Sequence, residues 1–359
     1  MRILMNMSDA SSSPGPRDRS VKMLDVAAAA GVSRSTVSNV MRGHASVAAD
    51  VRARVLDEAE RLGYVYNRGA AGLRMRQSHL VGLVVPDLAN PFIGQAVLGI
   101  QESLSARGYL VVAASTGDQL DRQAIVLRTL GEHRVDGFLL IPAIASNSEG
   151  LLTDLGGLPA VLVNRDVEQA DVEHVGPDDR AVGRLGADHL INVHGCETVA
   201  YFGGPALASP RVLRAREFRR VAETSGATVL EDWSAPTEAA SGAAYERAVR
   251  LIATGSIPRG ILCHTDGIAY GVQRALREAG ISTDWCRVLG TDDLPDSPFS
   301  SPSLSSISVD AFAIGRVAGD RLLRQLGETV DELVVPQPRV VGRQSCGCEA
   351  APAAVKVRS

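Results

Sequence analysis

Aromatic side chains are scarce in this chain: Phe, Trp and Tyr make up 4% of its 359 residues, and only two are tryptophans. Cysteine is thin as well. Five cysteines, an odd number, do not build the paired framework of a small secreted domain, and they point to reduced thiols in a cytosolic compartment. No apolar run approaches the roughly 18 residues that a membrane span requires. Residues 1–7 hold one arginine and little apolar sequence, short of a secretory signal. Enzyme signatures are missing too: there is no G-x-S-x-G elbow, no P-loop, no H-E-x-x-H, and no G-x-G-x-x-G after a strand. Secreted, membrane-spanning and collagen-like classes are set aside, and no cofactor site is expected.

What is present is a 45% hydrophobic, 22% charged composition with 35 glycines, which suits an α/β protein with aliphatic strands and tight turns. The length suggests more than one domain. The net charge of −4 conceals an asymmetry. Residues 17–76 carry eleven basic and six acidic side chains, a balance of +5, which leaves −9 for residues 77–359. A small basic head on a larger acidic body is the layout of a nucleic-acid-binding module joined to something else. A solvated basic face on an ordinary helical subdomain is the alternative on charge alone.

Residues 1–19 are rich in Ser and Pro and are expected to be a disordered tail. Residues 20–66 read as three short helices. The first stops at Gly31, Ser33 is a good N-cap for the second, and the third places Val51, Val55, Ala59 and Leu62 at helical spacing. Residues 67–78 form a basic linker. Over 79–346, aliphatic strands alternate with amphipathic helices, with strands at Leu80–Val85, Leu110–Ala114, Phe138–Pro142, Ala160–Asn164, Val199–Phe202, Gly260–Cys263 and Arg287–Gly290. Such alternation implies parallel sheets covered on both faces. The length favours two doubly wound lobes that part near 176–179, followed by a tail over 347–359.

Ligands of such sheets sit beyond the carboxyl ends of the strands. Asn164 follows the fourth strand, Asp266 follows Gly260–Cys263, Asp292 follows the last, and the loop after Val199–Phe202 leads to Arg211 and Arg214. Taken singly, Asp266 and Asp292 read as caps of the elements that follow; together they suggest a cleft for a polyhydroxylated ligand. Trp233 is a candidate to stack on a sugar face or a base. His189, His194 and Cys196 match no familiar zinc spacing and are expected to be structural, and Cys346-Gly347-Cys348, with no second pair, reads as incidental thiols rather than a chelate or redox pair.

The segment Leu24-Asp25-Val26-Ala27-Ala28-Ala29-Ala30-Gly31-Val32-Ser33-Arg34-Ser35-Thr36-Val37-Ser38-Asn39-Val40 closely resembles the helix-turn-helix of the lactose/galactose repressor (LacI–GalR) family. Gly63-Tyr64-Val65-Tyr66-Asn67, Val81 to Asp87, Asn90-Pro91-Phe92, Val135-Asp136-Gly137, Gly290 to Asp293 and Arg343-Gln344-Ser345 are each similar to a family landmark and follow in family order. The resemblance implies a small all-α helix-turn-helix head on an α/β core of two doubly wound lobes, like a periplasmic binding protein. It implies a cytoplasmic homodimeric transcription regulator, most commonly a repressor, that binds double-stranded, pseudo-palindromic operator DNA and senses a small sugar-like effector. A nucleoside or purine effector is the alternative. By the same resemblance Arg34, Ser35 and Asn39 face base edges, and Ser33, Thr36 and Ser38 bond phosphates. Asn67 joins the DNA-binding set, and Leu73 wedges into the minor groove. Phe92, Asn164, Arg214, Trp233, Asp266 and Asp292 would contact the effector, and loss of Arg214 would abolish the response while sparing folding.

Several residues depart from the family pattern. Asn39 stands where arginine is frequent, Thr265 where an asparagine precedes Asp266, Glu217 where a glycine is frequent, and Ala48 where a Ser or Thr caps the third helix. A solute-binding protein would share the two-lobed core but lacks a use for the head. An enzyme would need a nucleophile or an acid–base pair, whereas the strand-end residues suit recognition by hydrogen bonding.

Overall fold

Residues 21–41, 46–65, 77–238 and 240–348 are described in the computed structural model, and contacts divide the chain between Ser78 and His79. In the first unit, α1 (Met23–Ala30), α2 (Arg34–Met41) and α3 (Ala49–Arg61) follow the expected pattern. Gly31, at φ +65°, ends α1 and donates its N–H to the carbonyls of Ala27 and Ala28. The Ser33 hydroxyl then accepts the Thr36 N–H at 3.1 Å and caps α2. Val26, Ala27, Ala30, Val37, Val40, Val55 and Ala59 close a small core between the three helices.

The second unit holds two sheets. The first combines β1 (Leu80–Val85), β2 (Leu110–Ser115), β3 (Gly137–Leu140), β4 (Ala160–Val163) and β5 (Glu173–Val175) in the order β2-β1-β3-β4-β5, all parallel. Its connections carry α4 (Pro91–Ser105), α5 (Leu120–Glu132) and α6 (Ser148–Leu155). The second combines β6 (Thr198–Phe202), β7 (Thr228–Val229), β8 (Gly260–Cys263), β9 (Arg287–Asp292), β10 (Ser305–Ser308) and β11 (Arg339–Val341) in the order β11-β10-β9-β8-β6-β7. Only β11 runs antiparallel, on the edge. With this sheet go α7 (Asp179–Asp188), α8 (Ser209–Thr224), α9 (Glu231–Ser234), α10 (Ser241–Ile252) and α11 (Asp266–Glu278).

The division into lobes is less simple than a single parting near 176–179. After β10 the chain returns to the first lobe, where α12 (Ala311–Gln325) packs along α4 and against β3 and β4, before β11 rejoins the second sheet. Glycines make the α4–α12 crossing close. A Cβ on Gly99 would strike the Phe312 backbone, and one on Gly315 the Ala96 backbone. The chain thus crosses between the lobes three times, and residues that follow strands of both sheets line the space between them.

Candidate functional site

Beyond the strand ends lies a cleft of about 490 Å³ lined from both lobes. The first lobe contributes Asp87, Asn90, Phe92, Asp118, Asn164 and Arg165; the second contributes Arg214, His264, Thr265 and Asp292. Four of the expected effector residues, Phe92, Asn164, Arg214 and Asp292, therefore stand on one wall or the other.

Each is held by local structure. The Asn90 side chain accepts the Phe92 N–H at 2.9 Å, and Pro91 opens α4, so the helix start presents Phe92 at the cleft. Asn164 follows β4 with φ +63°, and its Oδ1 is buried without a hydrogen-bond partner. A buried acceptor left unpaired is costly, and a ligand donor would relieve it. Asp292 and Asp293 leave β9 with φ of +119° and +57°. That strained turn is held by Arg343, whose Nη2 lies 2.7 Å from Asp293 Oδ1, and by the Ser306 hydroxyl, which accepts the Asp293 N–H at 3.0 Å.

Arg214 is the most tightly held. Its Nε donates to Asp179 Oδ1 at 2.6 Å, and its Nη1 to the His264 carbonyl at 3.1 Å. α8 can bring it there because α7 meets it at Gly183, where a Cβ would collide with the Arg214 backbone. His264 in turn lies 2.7 Å from the Tyr201 hydroxyl. Burial, reinforced by Arg214, holds the His264 imidazole well below its ordinary pKa, so it is neutral. Burial also drives the Asp292 carboxyl well above the carboxylate range; Asp266 adds to the shift and Arg214 opposes it.

Two expected contacts are elsewhere. Asp266 is fully buried, and its carboxylate turns into the second lobe. Oδ2 accepts from the Leu294 N–H at 2.8 Å and the Ser297 hydroxyl at 2.6 Å, and Oδ1 from the Ser306 hydroxyl at 2.6 Å. Its three donors tie it to the loop after β9 and to β10, and it does not line the cleft. Trp233 is buried against Phe202, with ring centroids 5.8 Å apart, and its Nε1 donates to the Ser256 carbonyl at 2.7 Å. Its ring belongs to the core of the second lobe.

Arg165, which follows the fourth strand beside Asn164, has a partner that the strand ends did not single out, Asp118. Arg165 Nη1 lies 2.6 Å from Asp118 Oδ1 and 3.0 Å from the Pro142 carbonyl. Asp118 follows β2 as Arg165 follows β4, so the strand-end rule that reached Asn164 and Arg165 extends to it. Thr265, the departure from the family's asparagine, is the N-cap of α11: its hydroxyl accepts the Ile268 N–H at 3.2 Å.

In the head, Ser33, Arg34 and Ser35 are exposed at the start of α2, while Thr36, Ser38 and Asn39 are half-buried. The Ser33 hydroxyl lies 2.7 Å from that of Ser35 and 2.8 Å from that of Thr36. Asn67 and Leu73 lie outside the described residues, as does most of the 67–78 linker. Away from the cleft, His189, His194, Cys346 and Cys348, separate in the sequence and expected to have no ligand role, come together.

Residues 22–67 match the model of bacterial regulatory proteins of the lacI family, and residues 187–346 match a periplasmic binding protein-like domain. The HTH-type transcriptional regulator GntR of Pseudomonas aeruginosa is 32% identical over 303 residues, 83% of this chain and 87% of its own. The transcriptional regulator CelR in complex with cellobiose superposes with a TM-score of 0.66 at 26% identity, over 90% of this chain and 99% of its own. The Lac repressor dimer bound to operator and the anti-inducer ONPF reaches a TM-score of 0.81 at 24% identity, over 91% of this chain and 99% of its own, a likeness of fold. No helix among the described residues is long and apolar enough to cross a membrane.

Proposed function

The chain belongs to the lacI family of bacterial regulatory proteins, and from that premise we propose that it is a repressor that binds a pseudo-palindromic operator as a homodimer and releases or tightens on it when a neutral, sugar-like molecule enters the cleft. The observation that carries the ligand class is the lining of the cleft. Asp87, Asp118 and Glu238 outnumber the two arginines there, Asp292 being held towards its neutral form, and each arginine already has a carboxylate partner, Arg165 in Asp118 and Arg214 in Asp179. An anionic ligand would meet no uncompensated cation on these walls. A neutral polyol, each of whose hydroxyls both donates and accepts, suits the carboxyl groups, the unpaired Asn164 oxygen and the Phe92 ring.

Supporting the dimer, β2 sits on the edge of the first sheet with Leu110 and Val112 exposed, and α4, which packs on it, exposes Leu98. An open apolar edge of this kind needs a cover. Supporting the operator, the head carries the basic excess, so affinity should fall steeply with salt as phosphate contacts release counterions. The chain takes its place among transcription regulators rather than enzymes by family.

The test begins with selecting a binding site from random duplexes. Titrating that site with and without a panel of neutral mono- and disaccharides, phosphorylated sugars and purines should give a shift of about 5- to 150-fold for a neutral saccharide. A response confined to purines or to anionic sugars would sink the proposed ligand class while leaving the regulator intact.

A further inference from the structure

The second lobe begins in α7, which runs directly into a π-helical turn at His189–Val193. In a straight α-helix, residues five apart lie about 140° from one another around the axis. The π turn removes that divergence, and the His189 and His194 rings sit 4.6 Å apart, edge to face, with their Nε2 atoms 3.2 Å from each other. Such turns recur at functional sites. Facing them is the C-terminal segment, where a 3₁₀ turn at Gln344–Cys346 ends in Gly347 at φ +80°. A Cβ on Gly347 would run into the Arg287 guanidinium, which donates to the Cys346 carbonyl at 2.7 Å. Glycine there lets Cys346 and Cys348 turn their sulfurs to the same point, 3.2 Å apart.

We propose that His189, His194, Cys346 and Cys348 form a four-ligand zinc site that ties the start of the second lobe to its C-terminal segment. The four ligating atoms all lie within 4.8 Å of one another. Zinc bonds of ordinary length set the edges of a tetrahedron at about 3.3 Å between nitrogens, about 3.6 Å between nitrogen and sulfur, and about 3.8 Å between sulfurs. The structure has 3.2 Å between the nitrogens. Cys346 Sγ lies 3.3 Å from His189 Nε2, and Cys348 Sγ lies 3.3 Å from His194 Nε2 and 3.7 Å from His189 Nε2. The sulfurs would have to part by roughly half an ångström, and the remaining edge, between His194 and Cys346, falls within the 4.8 Å spread of the set.

The chemistry of the set agrees with its geometry. Thiols are weak hydrogen-bond donors and acceptors, so two sulfurs and two imidazole nitrogens meeting at one point are poorly served by hydrogen bonds among themselves, whereas a cation takes a lone pair from each. Two thiolates cancel the charge of a divalent ion, and neutral imidazoles complete a borderline-soft shell that suits zinc. Four protein ligands leave no open position, which marks a structural ion rather than a catalytic one. His189 and Cys346 are buried, with Cys348 half-buried at the rim. Cys196, which the sequence groups with the histidines, is not a member; its sulfur faces the Arg259 carbonyl at 3.5 Å. At its other end α7 carries Asp179, the partner of Arg214, so the ion would anchor the helix that sets the second wall of the cleft.

Elemental analysis of the full chain, purified under reducing conditions without a chelating step, should find about one zinc per chain. Replacement by cobalt(II) should give the visible bands of a tetrahedral ion with thiolate charge transfer. Cys348→Ser and His194→Gln, both at partly exposed positions, should fold by circular dichroism and lower metal affinity tenfold or more. The wild-type metal content and cobalt spectrum decide the matter even where a variant does not fold. A protein with reduced thiols, no zinc and no cobalt spectrum would overturn the site. So would zinc that persists undiminished in both variants, or a Cys346–Cys348 disulfide in the freshly purified protein.

Discussion

Each lobe offers the cleft an arginine paired with an aspartate at 2.6 Å, but the two pairs live in different solvents. In the first lobe the side chains of Arg165 and Asp118 are 15% and 28% exposed; in the second, those of Arg214 and Asp179 are 4% and 6% exposed. Burial changes what the same chemistry does. A pair in contact with water is worth little to stability and can exchange a partner for a ligand at small cost. A pair sealed from water has been desolvated on both sides, and neither member can leave without stranding the other. The second lobe therefore presents a fixed template, and the first an adjustable lip.

The sharpest way to break this comparison is to remove Arg214. The family resemblance suggests that such a protein folds and merely stops responding to effector. The structure adds a cost, because Asp179 would be left buried with no counter-charge. We expect Arg214→Ala to lower the unfolding free energy by about 3–5 kcal/mol. Replacing both partners, as Arg214→Met with Asp179→Leu, should recover much of that loss while leaving the effector response absent. Denaturant unfolding of the two proteins measures the difference. An Arg214→Ala protein as stable as its parent would mean that the buried pair is not the template we describe.

Next in size is a pH effect confined to the second lobe. Burial raises the Asp266 carboxyl from 3.8 to about 6, although hydrogen bonds from Ser297, Ser306 and Leu294 favour its ionised form. The folded state thus binds a proton more tightly than the unfolded one. The contribution is favourable below the unfolded value and is lost as pH rises from about 4 to about 6, which for two units amounts to roughly 3 kcal/mol. His264, held neutral by burial, acts in the opposite sense: its stability is present above its unfolded pKa and lost below it. The two overlap in wild-type protein, so the readout is a difference. The stability of Asp266→Asn relative to wild type should improve across pH 4 to 6. A flat difference would show that Asp266 is not the titrating group.

How much of this was legible depended on whether burial left a mark in hydropathy. Leu80–Val85 and Gly260–Cys263 are strands residue for residue as expected, because aliphatic side chains covered on both faces leave an unbroken run. β10 escaped notice because it reads Ser-Ser-Ile-Ser. Ser305 and Ser306 are nonetheless fully buried, satisfied by the Arg343 N–H at 2.7 Å and Asp266 Oδ1 at 2.6 Å. The return of α12 to the first lobe was equally invisible, since periodicity shows that a helix has a covered face and not which sheet covers it. In the cleft, the strand-end rule located Asn164 and Asp292 but could not tell which way a carboxylate turns. Asp266 turned inward because residues 294, 297 and 306 supply its donors. Trp233 was singled out for scarcity, whereas its indole fills the core beside Phe202. The two histidines looked unrelated to the two cysteines because about 150 residues separate them and α-helical spacing sends 189 and 194 apart.

The smallest expected effect sharpens the comparison most. Arg165→Ala removes the half-exposed pair from the first lobe, so Asp118 keeps access to water and retains the Ile144 N–H at 3.1 Å as a donor. The stability change should be within about 1 kcal/mol, several-fold less than for Arg214. Arg165 also donates to the Pro142 carbonyl at the end of the first sheet, so its loss loosens the lip without unfolding the lobe. The response to effector should weaken rather than vanish, with operator affinity in the absence of effector unchanged. Pairing Arg165→Ala with Arg214→Ala in a double-mutant cycle tests whether the lobes communicate before ligand arrives. Additive stability losses are expected, since the ion pairs and hydrogen bonds of Arg165 and of Arg214 share no partner among the described residues. A coupling of more than about 0.5 kcal/mol in the free protein would show that lip and template are already one unit, and the division between them would fail.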